Sequence, residues 1–95
     1  MADNSSMTNV AAVEQYGKNL AKVNQQMLQI FKQLRQQTKN LGSAWKDDQY
    51  KRFAQDFDQD IMKNIQEMSA KMDMFSKYVE KMVQIHRMAQ QQKYY

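Results

Sequence analysis

Apolar residues recur at steps of three and four along almost the whole chain, and the pattern breaks only once. Val10, Val13, Tyr16, Leu20, Val23, Met27, Ile30 and Leu34 form a first stripe. Phe53, Phe57, Ile61, Ile65, Met68, Met72, Phe75, Val79 and Met82, continued by His86 and Ala89, form a second. Such spacing is the signature of a helical seam. A chain of 95 residues that carries it twice has room for one domain. There is no Pro, there are two Gly, and no stretch alternates with the period of a half-buried strand. The expected fold class is all-α: an antiparallel helix-turn-helix hairpin that dimerises into a four-helix bundle.

The break runs from Leu41 to Phe53 and holds the only Trp, Trp45, and the second Gly, Gly42. Gly42 is expected to end the first helix with a positive φ. Ser43 and Asp47 are candidate caps for the next helix, and Asp47 and Asp48 place negative charge at its N-terminus. Trp45 is expected to fold over the end of the hairpin. The organisation predicted is a flexible tail over 1–8, a hairpin over 9–91 and a short tail over 92–95. Within the hairpin, helix 1 spans about 9–40, the turn 41–47 and helix 2 about 48–91, with Thr8 or Asn9 capping helix 1.

A turn centred near Ser43 and Ala44 makes the numbers of facing residues sum to about 88. Leu34 then meets Phe53, Ile30 meets Phe57, Met27 meets Ile61, Val23 meets Ile65 and Leu20 meets Met68. In this even fold-back helix 2 overruns its partner after about Val79, and the overrun from about Lys81 is expected to be read by a partner. One stripe per helix makes a marginal pair. Phe31, Tyr50, Met62, Met74, Tyr78, Ile85 and Met88 fall outside both stripes and are the expected interface for a second hairpin. Gly17, inside helix 1, is either a tolerated glycine or a point of close backbone approach.

Several chemistries lack their residues. No Cys is present, which removes disulfides, thiolate metal sites and a Cys nucleophile. The single histidine, His86, has no second ligand or catalytic partner at a recognisable spacing. Asp47, Asp48, Asp56, Asp58 and Asp60 have no glycine-bearing loop to join them into a cation site. No phosphate loop or nucleophile elbow occurs. We expect no catalytic residue, cofactor or metal, and therefore no enzyme. Net charge is +4 with acids interleaved, which argues against nucleic acid as a partner. Residues 1 to 8 lack the basic and apolar runs of a cleaved signal, and no stretch is apolar enough to span a membrane.

The turn region resembles the WXG-motif superfamily, the small helical hairpins of type VII secretion. The match rests on length, on the central Trp45, on Leu41 four residues before it and on Phe53 eight after. The motif glycine is replaced by Asp47, itself a good helix cap. Where many members carry a Tyr followed four residues later by an acid, Tyr78 is followed by Met82. The resemblance implies a homodimer or heterodimer with a similar small helical protein, and association with a larger exported protein or with the secretion machinery. It further implies export without a cleaved signal, from a cytoplasmic pool, as a dimeric substrate or adaptor. Alternatives of other classes are a needle-like hairpin subunit that polymerises, a general coiled-coil module, and a nucleic-acid-binding hairpin.

Overall fold

The computed structural model describes residues 7–92. The tails predicted over 1–8 and 92–95 lie outside it up to residue 6 and from residue 93, Tyr94 and Tyr95 included. Helix α1 spans Val10–Asn40; the Asn9 side chain caps it by accepting the Ala12 N–H at 3.0 Å. A 3-10 turn, Leu41–Ser43, follows. Helix α2 spans Asp48–Asp56, a π-helical segment covers Phe57–Met62, and α3 spans Lys63–Gln92. The residues joining these three, Phe57 and Lys63, keep right-handed helical backbone, so they form one continuous rod. The rod folds back on α1 into a hairpin measuring 72 × 18 × 16 Å.

The hairpin does not have the even register. Asn24 faces Ser69, donating from Nδ2 to its carbonyl oxygen at 3.1 Å. Ser76 donates its hydroxyl to the Gly17 carbonyl at 3.0 Å, and Gly17 also meets Val79. The even fold-back sets position 64 opposite Asn24 and position 71 opposite Gly17. Each facing residue therefore lies five or more positions further along the rod, a slip of roughly 8 Å.

The physical reason is the width of the side chains. Along α1 the inward line is Val10, Gly17, Asn24, Phe31 and Thr38; along the rod it is Met62, Ser69, Ser76, Val83 and Gln90, each at a spacing of seven and none of them exposed. Where these lines meet closest, at Gly17, Ser69 and Ser76, the side chains are small. A Cβ on Gly17 would sit 3.0 Å from Val79 Cγ1. Among the described residues only two apolar side chains are buried, Ile65 and Val83. Large members of the stripes expected to fill the seam are instead open, with Tyr16 59%, Ile30 60%, Met68 51% and Phe75 65% exposed.

The slip also shortens the overrun. Among the described residues Val83 is the most enclosed apolar side chain, His86 is buried, and Arg87 grips Glu14 with two hydrogen bonds of 2.8 and 3.1 Å. The segment from about Lys81 to Arg87 is thus packed on α1 and is not a free end. A second fork, from Arg35 to Asp58 with both bonds at 3.0 Å, ties α1 to the π segment.

The π segment has a cause in the sequence. Phe53, Phe57, Ile61 and Ile65 follow one another at three consecutive steps of four. In a regular α-helix that run drifts off one face. A wider i→i+5 turn absorbs the surplus residue, so that Phe57 and Ile65 stay turned inward together.

Candidate interaction face

The turn is built around Tyr50. Its hydroxyl donates to the Thr38 carbonyl at 2.7 Å and also reaches that of Lys39 at 3.3 Å, filling the last carbonyls of α1. Gly42 has no positive φ, contrary to the sequence expectation. It is needed because a Cβ there would stand 3.0–3.1 Å from the Tyr50 ring. Asp47 caps α2, its Oδ1 accepting the N–H groups of Gln49 and Tyr50 at 2.9 and 3.1 Å. The Ser43 hydroxyl donates back to Asn40 and takes no part in that cap. Trp45 is half-buried, with its ring 5.8 Å from those of Tyr50 and Phe53. Phe53 continues to Phe57 at 6.2 Å, so an aromatic ladder closes this end. Tyr50, expected to face a second hairpin, works inside its own chain.

The two sides of the hairpin differ. On one, the cleft between the helices is lined by Glu14, Lys18, Glu80, Gln84 and Arg87. The Arg87 bond holds the Glu14 carboxyl below its ordinary range, against the opposing effect of burial, and Glu14 raises Arg87 in return. On the other side the cleft is a groove of about 320 Å³ lined by Tyr16, Leu20, Met72, Phe75 and Val79. It continues over α3 into a hollow lined by Lys71, Met74, Phe75 and Tyr78. Val23 and Ile30 repeat Tyr16 at intervals of seven, and Met68 repeats Phe75, so the apolar lining extends along both rods. We take this side as the candidate site.

The sequence profile of the WXG100 family, described as proteins of 100 residues with WXG, matches residues 5–91. The chain belongs to the WXG100 family. WXG100 proteins are small helical proteins of type VII secretion; they typically pair with similar proteins and are not known as enzymes. No curated relative and no solved structure matches the chain. No helix of this WXG100 protein, among the described residues, is long and apolar enough to cross a membrane. Among the same residues no group of His, Cys, Asp or Glu is placed to hold a metal ion.

In this WXG100 hairpin the residues singled out from the sequence separate. Trp45, Asp47 and Gly42 meet at the turn. Met74 is 69% exposed and lines the hollow beside Phe75. Ile85 and Met88 are exposed further along α3, Met62 is half-buried beside the Arg35–Asp58 fork, and Phe31 is half-buried on the inward line of α1. Periodicity alone places the strongest members of the open face, Tyr16, Val23, Ile30, Met68 and Phe75, in the intrachain seam, and the structure leaves them exposed. The signal against that assignment was present: Gly17 and Asn24 are seven apart, as are Ser69 and Ser76, and these small or polar lines run beside the apolar ones.

Proposed function

We propose that this protein works as half of a four-helix bundle, its open apolar side covered by a second hairpin of the same kind, and that in this form it serves type VII secretion as a dimeric substrate or adaptor. One observation carries the reading: among the described residues two apolar side chains are buried, while large ones along both helices stand open on one side. Exposed apolar tracts that extend along a whole rod mark interaction surfaces. The family supports the same reading, since WXG100 proteins typically pair with similar proteins.

The test is a photoreactive phenylalanine analogue at Phe75 in the producing cell. A single adduct close to twice the mass of the chain is expected, and Tyr16→Glu abolishes it without loss of helicity. No adduct, or one with a partner several times larger, overturns the pairing. The export arm is read from the culture medium, with Trp45 intact and with Trp45→Ala. Full-length protein is expected outside the cell, reduced in the variant. Confinement to the cytosol in both cases removes the secretion role.

A further inference from the structure

The back of α3, turned away from α1, carries a seam of its own. Lys71, Met74, Tyr78, Lys81, Ile85 and Met88 follow one another at alternating steps of three and four, and all six are exposed. That is the spacing by which one helix meets another, and it is held over about 25 Å. The line is separate from the other two on this helix. Val83, nine residues from Met74 and so on the opposite side of the helix, is buried against α1. Met72, Phe75 and Val79 line the groove on the open side. The hollow of Lys71, Met74, Phe75 and Tyr78 marks the edge where the open side ends and the back begins. A helix with apolar residues on three sides calls for a neighbour on each. Helix α1 supplies the first and a paired hairpin covers the second; a four-helix bundle leaves the third open.

We propose that this third side of α3 docks a further helix, one that carries carboxylates among its apolar residues. The charges on the line choose that occupant. Lys71 and Lys81 form no ion pair among the described residues. The carboxylates nearest to them in sequence are committed elsewhere: Asp73 holds Lys77 at 2.9 Å, and Glu80 lines the polar cleft. A lysine standing within an apolar seam penalises pairing with an identical seam and selects an acid opposite. An anionic lipid surface would want its cations on the polar flanks of a broad apolar face; here they interrupt a line one residue wide. The inference goes beyond the pairing proposed above and does not rest on it, because the back of α3 is open with or without a second hairpin.

The probe is a labelled synthetic helix of about three heptads, with Leu along its seam and two Glu spaced as Lys71 and Lys81 are. Fluorescence anisotropy should show it binding the full chain at micromolar concentration, and the same peptide with Lys for Glu should bind about tenfold more weakly. Lys71→Glu and Lys81→Glu should each weaken the acidic peptide about tenfold, and the double variant should prefer the Lys peptide. Ile85→Glu should abolish binding with helicity unchanged, whereas Tyr16→Glu, which lies in the groove, should leave it intact. In the producing cell a photoreactive phenylalanine analogue at Ile85 should give an adduct that Lys81→Glu removes while the adduct at Phe75 persists. Equal binding of the two peptides, loss of binding with Tyr16→Glu, or an Ile85 adduct indifferent to Lys81→Glu overturns the inference. So does failure of the acidic peptide to bind while phosphatidylglycerol vesicles retain the chain through Lys71 and Lys81, which would give the face to lipid. Loss of the Phe75 adduct alone removes the pairing of hairpins and leaves this docking side standing.

Discussion

Asn24 lies buried in the middle of the hairpin with half its carboxamide used: Nδ2 reaches the Ser69 carbonyl, and Oδ1 has no partner among the described residues. A buried polar atom left unpaired costs about 1–3 kcal/mol. The Ser69 carbonyl also accepts within its own helix, so it loses little if Asn24 is replaced. Asn24→Leu should therefore raise stability by about 1 kcal/mol, read as a higher Tm in thermal unfolding. Gly17 behaves oppositely. Because Val79 is stiff at its β-carbon and already close, Gly17→Leu should cost about 1–3 kcal/mol by overpacking. The Glu14–Arg87 fork makes a pH-dependent contribution. Glu14 is held below its ordinary value of 4.5 by the Arg87 hydrogen bond, so its contribution is complete above that value and is lost as pH falls through the lower folded-state value. Glu14→Gln should unfold at a lower temperature than wild type at pH 7, and the two melting curves should converge under acid.

The second rod tests how helical phase is kept. In the π segment one residue is surplus to the α-helical count, so removing Gln59, which is exposed there, should convert the turn to regular helix and leave α2 and α3 in phase. Removing Gln66, equally exposed but in regular helix, rotates every later residue by about 100° and takes Val83 and His86 out of the seam. Circular dichroism should show near-native melting for the first deletion and collapse of the transition for the second. The existence of two helices, and the break between them, was legible in the sequence because periodicity and the lack of Pro act locally. The pairing of the stripes was not. An apolar line looks the same whether it is covered by its own chain or by another, and only the neighbouring small residues, Gly17, Ser69 and Ser76, distinguish the two. The role of Gly42 was hidden for a similar reason. Its demand comes from the Tyr50 ring, eight residues away in sequence, and not from its own backbone angles.

A hairpin 72 Å long and 18 × 16 Å across is little more than two helices laid side by side. Its inward lines are thin enough for Ser76 to touch the backbone of Gly17. Its polar side is fastened by two arginine forks, while its apolar side stays uncovered until something closes it. For the export proposed above, that slenderness has a consequence. Presented end-on, a lone hairpin fits an aperture of about 20 Å, whereas a closed pair needs nearly double that in one direction. The bore of the conduit would therefore dictate whether partners travel together or are parted at its mouth.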